Sequence, residues 1–361
     1  MPLRRALADV EPYRPQRPMR EIQAELGLDR IVKLSSNEGA FGPLPAAVAA
    51  FEAAAGDLNR YPDGGGLRLR AELAKRHGVP LEQVVLGNGA DELIRLCAVT
   101  VLDPGDRGVL PWPSFPSYGT SIACCGGEAV RVRLNGRAID FDALLAAVAG
   151  GRTKVVYVAN PNNPTGAVLD AGELREFLDV LPDDVLCVID EAYADYADVA
   201  PDGSDLVRDG APRVAVLRTF SKVYGLAAVR VGYAVASPEV ADGLDRVRPI
   251  FNVNQPAQEA ALASLHEHDA VAGRIEHARR GRREIARTLA AAGLDPEPSQ
   301  ANFVYADVPD GDALGLTDRL LRAGVMVRWL GGFGASQALR VTVGTDEENQ
   351  FFAHALQSGV R

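Results

Sequence analysis

Between residues 84 and 236, short runs rich in Val, Leu, Ile and Ala alternate with stretches of helical periodicity. The apolar runs fall at 84–86, 108–110, 128–134, 155–159, 185–190, 214–218 and 232–236, and helical stretches occupy 90–101, 141–148 and 171–180. That order marks repeated strand–helix–strand units, hence a mostly parallel sheet with helices on both faces. The runs are too apolar to alternate inside and outside, as strands covered on both sides require. The C-terminal third reads differently. A long charged helical stretch (267–294) precedes strand-like segments at 302–306, 325–328 and 339–343, a helix near 313–323 and a terminal helix from Asp346. The predicted fold class is α/β: a large domain with a mostly parallel, helix-covered sheet over 36–265, plus a smaller α+β domain over 266–361. An N-terminal arm (1–35), kept extended by Pro12, Pro15 and Pro18, is expected to join the smaller domain.

Charge narrows the function classes. The chain carries 38 basic and 48 acidic residues, a formal net charge of −10, which argues against nucleic-acid and membrane-surface partners. No apolar run reaches 18 residues and the N-terminus lacks a secretion signal's apolar stretch, so a cytoplasmic protein with no membrane span is expected. Cys97, Cys124, Cys125 and Cys187 lack metal-ligand spacing and read as reduced, small apolar side chains. His266 and His268 belong to no HExxH pattern, so no catalytic metal is expected. The arginines at 279–283 read as a solvated helix face.

In doubly wound sheets, ligands sit beyond the carboxyl ends of the strands. Four loops there carry chemistry. Gly87-Asn88-Gly89-Ala90-Asp91-Glu92 turns from a strand into a helix and can offer backbone N–H groups to an anion, or serve as a plain turn. It is neither GxGxxG nor a P-loop. Asn160-Pro161-Asn162-Asn163-Pro164-Thr165-Gly166 extends no helix or strand and displays amide side chains on a rigid loop. Asp190-Glu191-Ala192-Tyr193 puts a carboxylate at the tip of a buried strand, where it either caps a helix or meets a cation. Arg218-Thr219-Phe220-Ser221-Lys222 closes another strand, with Arg230 eight residues on. Only four of the basic residues are lysine, at 33, 75, 154 and 222. Lys222 alone lies just past a core strand, where a partly desolvated amine can form an imine with a carbonyl; a surface lysine is the alternative. Anion cradle, amide, carboxylate and lysine are together the parts of a pyridoxal phosphate site.

The sequence resembles the fold-type I pyridoxal-phosphate aminotransferases, most closely the histidinol-phosphate aminotransferase group, from Tyr13 to about Glu348. The segments that carry the resemblance are SSNEGAFGPLP, YPDGGG, GNGADE, PNNPTG, DEAY, TFSKVYGLAAVRVGY and LRVTVG. It implies that Lys222 bonds the cofactor covalently and shuttles a proton, and that Asp190 pairs with the pyridinium nitrogen. Asn163 and Tyr193 would hydrogen-bond the 3′-oxygen, and Phe115 would stack on the ring. Ala90, Asp91, Thr219, Ser221 and Arg230 would hold the phosphate, with Tyr61 reaching the neighbouring subunit's site in a homodimer. On the substrate side it implies Arg340 and Arg328 as anion-binding residues, Tyr13 as a covering aromatic and Asn37 at the pocket border. The implied reaction moves an amino group from a small-molecule donor to a 2-oxo acid: histidinol phosphate and 2-oxoglutarate first. An aromatic amino acid donor, or a lyase or decarboxylase reaction on the same scaffold, are the alternatives. The chain departs from the group at Gln16, Gly39-Ala40, Ala228, Trp329 and Gly331-Gly332, all in the arm or pocket wall, which bears on substrate more than on cofactor.

Overall fold

Seven strands form the main sheet of the structure, a computed structural model that describes residues 4–7, 10, 17–309 and 311–359. They are β1 (Val84–Gly87), β2 (Arg107–Trp112), β3 (Glu128–Arg133), β4 (Thr153–Ala159), β5 (Leu186–Asp190), β6 (Val214–Thr219) and β7 (Gly232–Ala236), in the order β1-β7-β6-β5-β4-β2-β3. Strands β2 to β6 are mutually parallel. Strand β7 runs antiparallel to both neighbours, because the segment from β6 to β7 contains no crossover helix and so returns the chain in the opposite direction.

Alternation along each strand sends residues to two separate apolar layers. Val109, Val156, Val158, Cys187, Ile189, Val214 and Val216 pack on one face. Leu110, Val155, Tyr157, Leu186, Val188, Ala215 and Leu217 pack on the other. Each such aliphatic side chain contributes about 1.5–3 kcal/mol on full burial, so both faces stabilise the sheet. Helix α1 (Ala90–Val101) covers the second face through Leu93, Ile94 and Cys97. Helices α2 (Phe141–Val148) and α3 (Ala171–Val180) cover the first. The starts of α2 and α3 are set by Asp140 and Asp170, whose carboxylates accept from first-turn N–H groups. Helices at Ser117–Cys125, Pro238–Val247 and Gln255–Ser264 were not legible; the first is made of small and polar residues with little periodic apolar signal.

The C-terminal region builds a four-stranded antiparallel sheet, β8 (Asp295–Pro296), β9 (Phe303–Asp307), β10 (Arg328–Trp329) and β11 (Ala338–Thr342), ordered β10-β11-β9-β8. The run expected as one strand at 325–328 is divided. Val325–Met326 pairs in parallel with Val32–Lys33, while Arg328–Trp329 pairs with β11. A separate apolar cluster around Val32, Leu34, Val304, Leu320, Val341 and Phe352 underlies this sheet.

Helix α4 (His268–Ala291) corrects one expectation. Arg280 and Arg283 are exposed, but Arg282 is buried. It donates to the carbonyls of Tyr196 (3.1 Å) and Ala301 (3.0 Å) and to Asp198 (3.2 Å), and Arg279 also pairs with Asp198. One side of the arginine run thus ties the long helix to the loop after β5, as a buried charge requires. Among the described residues, no helix is long and apolar enough to cross a membrane.

Candidate active site

The carboxyl ends of β1, β4, β5 and β6 meet on the face covered by α1. Glycines make the closest approaches possible. A Cβ on Gly232 would lie 2.8 Å from both the Ala90 nitrogen and the Arg218 carbonyl oxygen, so the start of α1 rests on the end of β6. A Cβ on Gly89 (φ +78°) would lie 2.3 Å from an Arg230 guanidinium nitrogen. The guanidinium therefore lies against the helix N-terminus, whose first N–H groups have no partner within the helix. Arg230 itself takes φ +61°, a left-handed conformation that costs a side chain on the order of 1 kcal/mol. Its guanidinium is anchored on the Ala227 carbonyl (2.9 Å) and reaches Ser221 Oγ at 3.4 Å. Ser221 in turn accepts from Thr219 Oγ1 at 2.9 Å. Two hydroxyls, one guanidinium and a helix N-terminus converge here, a donor set suited to a phosphate.

Asp190 ends β5 and is buried. Its Oδ2 accepts from the Tyr118 hydroxyl at 2.7 Å and its Oδ1 from the Ala192 N–H at 3.0 Å. Burial pushes its carboxyl above the ordinary range, while those two donors and the Lys222 charge pull it back. A buried carboxylate balanced in this way favours a cation placed against it. Tyr118, which the sequence reading missed, lies three residues beyond Phe115 on the next helix. Its ring stacks on Tyr157 (5.0 Å) and meets Phe115 edge-on (5.8 Å).

Lys222 Nζ stands 5.2 Å from the Tyr193 ring centroid. The Tyr193 hydroxyl accepts from Asn37 Nδ2 at 2.9 Å, and Asn37 is fixed by Thr342 of β11 through its backbone N–H and Oδ1, each at 3.0 Å. Arg340, in the middle of β11 and 3% exposed, donates to Asn163 Oδ1 and to the Ser35 carbonyl (2.9 Å). Phe303 and Phe333 lie 5.2 and 5.3 Å from its guanidinium carbon. Its Nε is buried with no hydrogen-bond partner among the described residues, and burial lowers its pKa to about 10. At neutral pH it remains a cation whose polar partners, among the described residues, are an amide oxygen and a carbonyl. Arg328 is its cross-strand neighbour and also donates to the Ser35 carbonyl, at 3.4 Å.

The structure thus brings together Ala90, Asp91, Phe115, Asn163, Asp190, Tyr193, Thr219, Ser221, Lys222, Arg230, Asn37, Arg328 and Arg340. Tyr61 is not among them: it is 82% exposed and stacks on Phe251 at 4.7 Å. Tyr13 lies outside the described residues. Ser35, Tyr118, Phe303, Phe333 and Thr342 complete the site without having been singled out; only Tyr118, at helical spacing from Phe115, left a local signal.

The family model for aminotransferase class I and II matches residues 29–356. Histidinol-phosphate aminotransferase 2 of Pseudomonas aeruginosa is 44% identical over 351 residues, covering 96% of this chain and 94% of that protein. The histidinol-phosphate aminotransferase of Symbiobacterium thermophilum is 42% identical over 99% of this chain and 98% of its own. Among solved structures, histidinol-phosphate aminotransferase from Sinorhizobium meliloti in complex with pyridoxal-5′-phosphate superposes with a TM-score of 0.92 at 31% identity. That match covers 99% of this chain and 97% of that one. With the family model spanning most of its length, and with relatives this similar end to end, the chain belongs to the class I and II aminotransferases.

Proposed function

We propose that the protein is a pyridoxal-phosphate-dependent aminotransferase that takes the amino group of histidinol phosphate to 2-oxoglutarate, giving imidazole-acetol phosphate and glutamate. The observation that carries the reading is Arg340: a buried guanidinium that, among the described residues, donates to an amide oxygen and a carbonyl is a receptor for a substrate anion. Relatives of that name, alike over nearly the full chain, supply the substrate. Residues 36–265 would form the cofactor-binding body, with 266–361 and the arm (1–35) as the smaller one, in a cytoplasmic enzyme.

Pyridoxal phosphate fits the residues present. The Arg230 guanidinium, the Thr219 and Ser221 hydroxyls and the start of α1 would hold its phosphate, and Asp190 offers its ring nitrogen a buried carboxylate. Bound there, the cofactor supplies an electron sink for negative charge developing at the substrate α-carbon. Asp190 would hold the proton on the ring nitrogen, and Phe115 would orient the ring. Asn163 and Tyr193 direct the 3′-oxygen. Lys222 Nζ anchors the cofactor and moves the proton at the substrate α-carbon, a role open to an amine in a partly dry cleft. Arg340 and Arg328 fix the substrate's anionic end, with Asn37 bordering it.

A donor series with 2-oxoglutarate tests the substrate. Glutamate release with histidinol phosphate should exceed that with phenylalanine or tyrosine by at least about tenfold in kcat/KM, the difference expected when two arginines meet a phosphate. Turnover with the aromatic amino acids and none with histidinol phosphate would replace the proposed donor.

A homodimer completes the reading. Tyr61, 82% exposed, stacks on the exposed Phe251, and their neighbours in sequence Leu58 and Ile250 are exposed as well, more than an isolated surface side chain accounts for. Sedimentation should give twice the chain mass, and Tyr61→Phe should weaken cofactor retention by about tenfold, one phosphate hydrogen bond, without dissociating the dimer. A monomer with full cofactor affinity would remove Tyr61 from the site.

A further inference from the structure

Among the motif residues with no part in the site just described are Glu191, next to Asp190, and Arg218, next to Thr219. Strand alternation sends them to the opposite side of the sheet from Asp190 and Thr219. There Arg218 clasps Glu191 Oε2 through Nε (2.9 Å) and Nη2 (2.6 Å), with the Glu191 side chain fully buried and that of Arg218 14% exposed. Glu191 Oε1 accepts the Gly203 N–H at 2.6 Å. A Cβ on Gly203 would sit 2.8 Å from that oxygen, so only glycine lets the backbone come so close.

The clasp continues outward. Arg218 Nη2 also reaches Asp202 Oδ1 at 2.8 Å, and Ser204 Oγ donates to the same oxygen at 2.6 Å. His77 bridges Ser204 Oγ (3.1 Å) and the Tyr233 hydroxyl (2.9 Å), and Tyr233 is the cross-strand partner of Arg218 on β7. Burial, and then the Arg218 charge, lower the His77 pKa to about 4, so at neutral pH it adds no charge to the chain of hydrogen bonds.

A buried ion pair contributes little net stability by itself; apolar replacements of similar volume are often as stable. What this one does is geometric. Glu191 N–H bonds the Leu217 carbonyl at 2.8 Å, so the side-chain clasp doubles a backbone bond where β5 and β6 end. Asp190 is one residue from the clasp at the end of β5, and Lys222 is four residues beyond Arg218, just past the end of β6. We propose that the Glu191–Arg218 pair is the positioning device that locks the ends of β5 and β6 together and so fixes Asp190 and Lys222 relative to one another. It rests on the reading that Asp190 and Lys222 hold the cofactor.

The test compares Glu191→Gln, Arg218→Lys and the paired replacement Glu191→Leu/Arg218→Met in the holoenzyme. Arg218→Lys keeps the charge but loses the fork. Misplacement of the reacting groups, not loss of binding, predicts at least about a tenfold fall in kcat for each single variant with KM within about twofold. The dissociation constant of pyridoxal phosphate, followed by its absorbance during dialysis, should rise several-fold. The paired replacement should recover the thermal midpoint without recovering kcat or cofactor affinity; it decides the matter alone where a single variant fails to fold. Recovery of kcat and affinity together with the midpoint would make the pair merely structural, and single variants that match the unaltered protein would also overturn the proposal. Failure of the site reading itself looks different: the protein with Glu191 and Arg218 intact would keep covalently bound cofactor after loss of Lys222.

Discussion

Lys222→Ala abolishes covalent retention of pyridoxal phosphate and lowers transamination by at least about 10³-fold, the upper part of the range for a positioned proton-transfer group. The expectation follows from elimination as much as from placement. Lys33 is paired with Glu38 at 2.8 Å, Lys154 is paired with Asp184, and Lys75 is exposed on the helix Leu67–His77. Lys222 alone stands beside Tyr193, at the end of β6. Borohydride reduction followed by peptide mapping should find the cofactor on the peptide containing Lys222 in the unaltered protein and on no peptide in the variant. The phosphate cradle is untouched, so the variant should still bind the cofactor reversibly. A borohydride-stable adduct on another lysine would remove Lys222 from its role.

The parts of the fold that were legible are those whose cause is local. Apolar runs such as 155–159 and 185–190 read as strands covered on both faces, and the stretches 141–148 and 171–180 carry their own helical periodicity. Asp190 and Lys222 stood out as candidates because a polar group at or just past the end of an apolar strand has to be explained. Arg340 carried no such signal. In sequence it is one charge within a strand, and its meaning comes from Ser35, Asn163, Phe303 and Phe333, drawn from four distant segments. Arg282 misled for the same reason: helical periodicity shows which residues share a face, but not that the carbonyls of Tyr196 and Ala301 wait opposite one of them. The antiparallel β7 was missed because the direction of a buried strand leaves no trace in its composition.

Asp190→Asn separates the chemistry of the site from the stability of the fold. In the protein without cofactor, burial holds the Asp190 carboxyl above its ordinary range. A group with a raised folded-state pKa favours folding when protonated, and that contribution is lost as pH rises through the folded value. The ionised form of the carboxylate is thus a burden that the neutral amide removes. Against this, an amide has one acceptor oxygen where Asp190 uses two, so either the Tyr118 hydroxyl or the Ala192 N–H loses its partner, at about 1 kcal/mol. The two effects oppose, and the thermal midpoint of the cofactor-free variant should move by only a few degrees. Activity has no such compensation. An amide cannot hold the proton on the ring nitrogen, and kcat should fall by about 10³-fold, comparable to the loss of a transition-state charge partner. Affinity for the cofactor should fall far less, because the Arg230, Thr219 and Ser221 contacts survive. A variant that keeps more than about a tenth of the original kcat would mean that the ring nitrogen finds its proton elsewhere.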